Sequence, residues 1–185
     1  MQELLILTKN EKKYVSDLIY YTIDEIKNFK NGNVIVVKDK KDILFFVEEA
    51  KFNSNNKKLY FGKIGSKLSN KINEQIKINL NNYNLSLKNM SVRHILNHHS
   101  NSSEILRGQI PIKKTNFFCI PKIITQYDKV EIVGFTMQNK PIIKFIKKIK
   151  NEYHLICYVS DKRHTLEVKT LYKKRAISPC PMQSP

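Results

Sequence analysis

Three of the five histidines in this chain, His94, His98 and His99, fall in one short stretch beside Arg93. Histidine is the one side chain whose ordinary pKa lets it both take and give protons near neutrality, so two of them facing one substrate can serve as general base and general acid. A metal centre is the competing chemistry, because His94 and His98 stand one helical turn apart, as the zinc ligands of H-E-x-x-H do. Ile95 occupies the place where that motif needs glutamate, and no carboxylate lies closer than Glu104, so neither a metal nor a cofactor is expected. The same histidines can also do no chemistry, capping a helix, packing or facing water, and spacing alone leaves these readings open.

The elements that would position them follow from hydrophobic periodicity. Ser91 stands where an N-cap would start a helix at Val92, which places Arg93 and His94 in a first turn whose free amides and positive dipole end favour an anion such as phosphate. Before it, residues 59–64 (LYFGKI) read as a strand, and Ser66 is placed to cap a helix in which Leu68, Ile72 and Ile76 recur every four residues. Gly62 and Gly65 do not have the spacing of a phosphate-cradling loop, which excludes a P-loop nucleotide triphosphatase. After the histidines, residues 108–112 form an extended connector around Pro111, Thr115 can cap a short helix, and Pro121 opens a helical turn. Residues 130–136, 141–147, 153–160 and 165–171 are rich in β-branched and aromatic types, separated by turn-like Gln138-Asn139, Asn151-Glu152 and residues 160–163. They predict a four-stranded antiparallel meander, in which Leu155, Cys157 and Val159 line the apolar face. Helices first and sheet second make the fold α+β.

The N-terminal part reads separately. Val15, Leu18, Ile19, Ile23, Ile26 and Phe29 predict an amphipathic helix over residues 11–30, and residues 33–37 and 43–47 predict a hairpin. The polar stretch KFNSNNKK at residues 51–58 then marks a boundary. The expected organisation is a small α/β unit at 1–52, a main domain at 53–175, and a flexible tail at 176–185 with three prolines.

The balance of charge narrows the partner. Lys and Arg number 33 against 16 acidic residues, a formal net charge of +17. That is more than solubility requires and favours a polyanion, with nucleic acid the leading partner and an anionic membrane second. Lys144, Lys147 and Lys148 could track phosphates or form a solvated face. The three cysteines are odd in number and lack C-x-x-C pairing, which suits a reducing compartment and excludes a zinc knuckle. No signal-peptide pattern and no apolar run of membrane-spanning length occur, so a cytoplasmic location without membrane insertion is expected.

In order along the chain come Phe61-Gly62-Lys63-Ile64, His94-Ile95-x-x-x-His99, Gly108-Gln109-Ile110-Pro111-Ile112, Ile120-Pro121-x-Ile123-Ile124 and Lys169-Thr170-x-Tyr172-Lys173. This series resembles the phage-type nucleases of the barnase, EndoU, colicin and RelE superfamily, from about residue 59 to residue 174. The resemblance implies helices packed on an antiparallel sheet, cleavage of RNA without metal, and deployment as a toxin domain in phage or polymorphic toxin proteins. Matched residue by residue, it implies His94 and His99 from the H-I-x-x-x-H pattern, and Thr170 and Tyr172 from the T-x-Y-K end, as catalytic residues. His98 is extra to that pattern, and Ser100 stands where relatives tend to have glycine.

Metal-free RNA cleavage uses the 2′-hydroxyl as nucleophile, so it needs a base, an acid for the 5′-oxygen, and donors for the phosphorane charge. The expected assignment gives proton transfer to His94 and His99, hydroxyl donation to Thr170 and Tyr172, charge stabilisation to Lys173, and substrate binding to Arg93, Lys144 and Lys147. The expected partners are RNA, with tRNA among the candidates, and an immunity or antitoxin protein. A different class, a basic nucleic-acid-binding module without catalysis, would use the same lysines with Tyr60, Tyr158 and Tyr172 for stacking. Packing is the bland reading for Thr170, which by simple alternation shares a strand face with Leu166 and Val168.

Overall fold

The computed structural model describes residues 17–22, 25, 33–52 and 56–175. In chain order the elements are β1 (Leu18–Ile19), β2 (Val34–Val36), α1 (Lys40–Phe52), β3 (Lys58–Ile64), α2 (Ser66–Ile76), β4 (Asn84–Lys88) and α3 (Asn89–His99). Short 3-10 turns at Ser102–Arg107 and Lys114–Cys119 lead to α4 (Ile120–Thr125). The C-terminal half is β5 (Lys129–Phe135), β6 (Pro141–Ile149), β7 (Asn151–Ser160) and β8 (Thr165–Lys174).

The fold is α+β, and β5 to β8 form the expected antiparallel meander. The sheet is larger than the four strands expected. It is mixed and eight-stranded, in the order β1-β3-β4-β8-β7-β6-β5, with β2 pairing β3. The extension grows from β8, whose second edge pairs in parallel with β4, from Asn84 opposite Thr165 to Leu87 opposite Val168. A run as short as NLSLK carries little signal of its own, and β4 is held in the sheet by strands on both sides.

The expected hairpin over residues 33–37 and 43–47 is corrected. Residues 34–36 do form a strand, but it pairs in parallel with β3, and residues 43–47 lie inside α1. Two aspartates start that helix by reciprocal capping: Asp39 Oδ1 accepts the Lys41 and Asp42 amides at 2.6 and 3.1 Å, and Asp42 Oδ2 accepts the Lys38 and Asp39 amides at 2.7 and 3.1 Å. Ile43, Phe46, Val47 and Ala50 then recur at helical spacing and are all buried. Within the helix expected over residues 11–30, Leu18 and Ile19 instead pair antiparallel with Ile64 and Lys63 of β3. The rest of that helix, apart from a few residues, and the tail at 176–185 lie outside the described residues.

Three expected caps also differ. Gly65 takes the N-cap position of α2, with Ser66 already helical. Lys88 takes that of α3, so the helix opens at Asn89 and Ser91 is a buried residue of its first turn. Thr115 falls inside a turn that Lys113 opens, where Asn116 Oδ1 accepts the Lys113 amide at 2.7 Å. Pro121 opens α4 as expected.

One buried cluster joins these parts. It includes Phe46 and Val47 of α1, Leu59 of β3, Leu85 and Leu87 of β4, Val92 and Ile95 of α3, Phe117, and Leu155, Cys157, Val159 and Leu171 of the meander. The core therefore runs across residue 52: α1 packs on α3 and on the turn that carries Phe117. Burial of apolar surface at this scale contributes about 1.5–3 kcal/mol per large side chain. Phe46→Ala is accordingly expected to cost about 3–5 kcal/mol in urea unfolding. A chain beginning at Asn53 is expected to lose the cooperative transition, because α3 and Phe117 lose their cover.

Candidate active site

The histidine stretch reaches the sheet because β4 stops. After Lys88 the backbone turns into α3, which packs against β8 where β4 no longer pairs with it. Beyond α3 the chain returns to the same edge. Gln109 bridges Lys174, the Ile110 amide donates to the Lys173 carbonyl at 2.7 Å, and the Ile112 amide donates to the His99 carbonyl at 2.6 Å. The end of the helix is thus tied to the end of the strand.

A β-bulge decides which residues of β8 meet it. Cys157 pairs with Val168 but Ile156 pairs with Thr170, so Lys169 is one residue more on β8 than its partner strand supplies. Residues directly opposite in an antiparallel pair share a face, and the extra residue reverses the alternation. Leu166, Val168, Leu171 and Lys173 face the core with Val159, Cys157, Leu155 and Tyr153, while Thr170 and Tyr172 face the other way with Ile156 and His154. The packing face that simple alternation predicts for Thr170 is therefore not the one it occupies.

The side chains brought together are His94, His98, His99 and Tyr172, joined by His154, with Thr170 on the same strand face as Tyr172. The ring of His94 lies 4.7 Å from that of His98 and 6.1 Å from that of His99, centre to centre. His99 lies 5.8 Å from Tyr172, and Tyr172 stacks on His154 at 4.7 Å with only 8° between the planes. His98 is exposed, whereas His99 turns toward the strand.

Glu104, which sequence places nearest the histidines, is 1% exposed and pairs with His99. Its Oε2 accepts from His99 Nδ1 at 2.8 Å, and Arg107 donates to Oε1 at 3.0 Å. A carboxylate at Nδ1 requires that nitrogen to carry the proton, which leaves Nε2 as the ring nitrogen outside this bond. Among the described residues, no group of three or more His, Cys, Asp or Glu is arranged to hold a metal ion.

The pKa of His94 is lowered from the ordinary histidine value, first by burial and then by the charges of His98, His99 and Lys169. The helix dipole is not the cause, since a helix that opens at Asn89 has His94 beyond its first turn. Tyr172 is raised by burial, so its phenol remains a hydrogen-bond donor at neutral pH. Cys119 is likewise raised by burial, which does not suit a nucleophile.

Five buried side-chain polar atoms among the described residues have no partner. Three of them, Gln109 Oε1, His154 Nδ1 and Thr170 Oγ1, belong to residues that β8 pairing places around Tyr172. Unmet hydrogen-bonding capacity gathered at one place is where a polar ligand gains most.

The other expected residues separate. Lys144 shares the face of Ile156 and Thr170, where it pairs with Glu131 at 2.5 Å. Lys147 lies on the opposite face and pairs with Asp128 at 2.6 Å. Lys173 is 7% exposed on the core side, over the ring of Tyr153, and its pKa is lowered by burial and by Lys113, so it does not reach the histidines. Arg93 points along another face of α3 and donates to the Ala50 carbonyl at 2.9 Å. There it lines a groove of 780 Å³ with Lys51, Leu96, Lys113 and Lys114, which contains no histidine. His154 joins the group without being among the site residues expected from the sequence. A signal existed in its place on the polar face of a strand two residues from Glu152, whose Oε1 meets His154 Nε2 at 2.6 Å.

Residues 62–178, well over half of the chain, match the family described as phage-Barnase-EndoU-ColicinE5/D-RelE like nuclease3. The chain belongs to that nuclease family. No curated protein and no solved structure matches it. The match begins within β3 and takes in α3 and β8, so the histidine helix and the bulged strand both lie inside the family's span, and nucleic acid is the substrate class it implies. No helix among the described residues is long and apolar enough to cross a membrane.

The pairing of His154 with Tyr172 carries a pH dependence. Burial lowers the pKa of His154 in spite of Glu152, so the folded state binds this proton less readily than the unfolded chain. Stability from this group is present above the unfolded value of about 6.5 and falls as pH drops below it. Thermal midpoints measured from pH 8 to pH 5 are expected to decline, and the decline should be shallower in His154→Gln.

Proposed function

We propose that this nuclease cleaves RNA endonucleolytically without a metal, by attack of the 2′-hydroxyl on the adjacent phosphate. The observation that supports the reading is the ring cluster of His94, His99 and Tyr172, with Thr170 on the strand face that the bulge in β8 gives it beside Tyr172. In this scheme His94, kept neutral by burial and by its cationic neighbours, takes the 2′-hydroxyl proton. The O2′–P bond forms as the P–O5′ bond breaks, and His99 gives its Nε2 proton to the leaving 5′-oxygen. The products are a 2′,3′-cyclic phosphate and a 5′-hydroxyl. Thr170 and Tyr172 donate to the phosphate oxygens, and Glu104 keeps the His99 ring aimed. Lys144 is the lysine of the expected set whose position suits the substrate. The N-terminal part takes no role in the chemistry, and its helix α1 acts through packing. A toxin role with a protein immunity partner fits the superfamily, and cytoplasmic RNA, tRNA included, is the substrate it would meet.

Total RNA incubated with the protein in EDTA is expected to acquire 2′,3′-cyclic phosphate ends, and a substrate with deoxyribose at the scissile position should resist. Loss of activity in chelator with recovery in magnesium would refute the mechanism. His94→Ala and His99→Ala are each expected to slow cleavage by about 10² to 10⁴. The acidic limb of the rate profile, set by a group below the ordinary histidine value, should vanish in His94→Ala. RNA affinity should stay within a few-fold of the parent in both. Wild-type rates in both variants would place the site elsewhere.

A further inference from the structure

A second depression opens on the same face of the sheet as Thr170 and Tyr172. It has a volume of 560 Å³ and is lined by Lys88, Phe135, Lys140, Tyr158, Arg163 and Glu167, among others. Register places it: Tyr158 lies opposite Glu167 and Ile142, two positions along β7 from Ile156 and four from His154. At about 3.3 Å per residue that is about 13 Å from the Tyr172 stack. Lys169, the bulged residue, spans the interval. Its charge acts on His94 at one end, and its Nζ lies 5.7 Å from the centre of the Tyr158 ring at the other.

Two features give the depression a chemistry. Its cations outnumber its carboxylates: Glu167 is paired with Lys88 at 2.7 Å, while Lys58, on the adjoining strand and directly opposite Lys88, feels repulsion from both Lys88 and Arg163. Burial first, and then that repulsion, lower the pKa of Lys58. Its aromatic groups are also open. Phe135 is 59% exposed at the end of β5, beyond the bulge that Gly134 permits with φ of 155°, and Tyr158 is partly exposed. Open rings beside a surplus of cations fit a flexible polyanion that carries flat apolar faces.

We infer that this groove is a subsite for single-stranded nucleic acid, holding nucleotides of the strand whose scissile phosphate lies at the histidines. Bases stack on Tyr158 and Phe135, and phosphates lie along Lys169, Lys88 and Arg163. A duplex is excluded from this mode because its bases already stack on one another. The inference rests on the nuclease reading for its occupant, and binding can be measured separately from cleavage.

The probe is a fluorescein-labelled all-deoxy decanucleotide, which lacks the attacking 2′-hydroxyl, titrated in EDTA and read by anisotropy. Phe135→Ala with Tyr158→Ala is expected to weaken binding about tenfold or more, and Tyr158→Phe to keep it. Arg163→Ala, in an exposed turn where folding is not at stake, should reduce the slope of log Kd against log salt by about one. Lys67→Ala, an equal loss of charge on exposed α2, should leave the slope near that of the unaltered protein. The inference is overturned if Arg163→Ala and Lys67→Ala behave alike, if the double alanine variant binds as tightly as the parent, or if a duplex of equal length binds as well as the single strand. Should binding follow the expected pattern while RNA stays uncut, the cleavage mechanism fails and the subsite stands.

Discussion

One inserted residue in β8 governs the arrangement of the whole site. A strand that alternated without interruption from Leu166 would send Thr170 and Tyr172 into the core and turn Leu171 and Lys173 outward. The bulge at Lys169 reverses this, so Leu171 completes the buried cluster and Tyr172 reaches His99 and His154. Bulges increase local twist and re-aim side chains at small cost when the flanking ladder is long. The ladder here is long on both sides, from Ser160 opposite Thr165 to Glu152 opposite Lys174. The strand can carry the defect because β7 pairs with it throughout and β4 supports its first half.

The helix that meets this strand is held by one buried charge. Glu104 has almost no exposure, so its carboxylate is tolerable only with partners, which His99 and Arg107 provide. The arrangement resembles other histidine sites in which a carboxylate sets tautomer and orientation while the reacting nitrogen faces the substrate. It also links the 3-10 turn after α3 to the helix itself. Together with the Ile110 and Ile112 backbone bonds, it leaves the His99 ring little freedom.

Charge follows the same division between structure and chemistry. Acidic residues are half as numerous as basic ones, and several are engaged by a lysine in pairs such as Glu49 with Lys57, Glu131 with Lys144 and Asp128 with Lys147. Such partly exposed pairs add little stability, typically about 0–1 kcal/mol each. Their effect is on distribution: these carboxylates are engaged away from His94, whereas Glu104 and Glu152 sit on His99 and His154.

Much of this protein is written in local pattern. The four strands of the meander, the apolar row Leu155, Cys157 and Val159, the helix from Ser66 and the turn at Pro121 all follow from periodicity and turn chemistry, which depend on neighbours a few residues away. The order of short motifs around His94, His99, Thr170 and Tyr172 pointed to the nuclease family for a similar reason, since a motif is local too. Where local signals competed, tertiary packing decided. Residues 43–47 have strand-forming types, yet burying Ile43, Phe46, Val47 and Ala50 together on α3 required a helix. β4 needed two neighbouring strands to exist, and α3 started at Asn89 because β4 ended there. The grouping of the site was beyond any local rule. Lys147 and Lys173 point to the face away from the histidines, Arg93 turns to α1, and the contact of His154 with Tyr172 and the parity of β8 arise only once distant strands pair. A single-residue shift in register moves every side chain beyond it to the other face, and only the completed sheet determines where that shift falls.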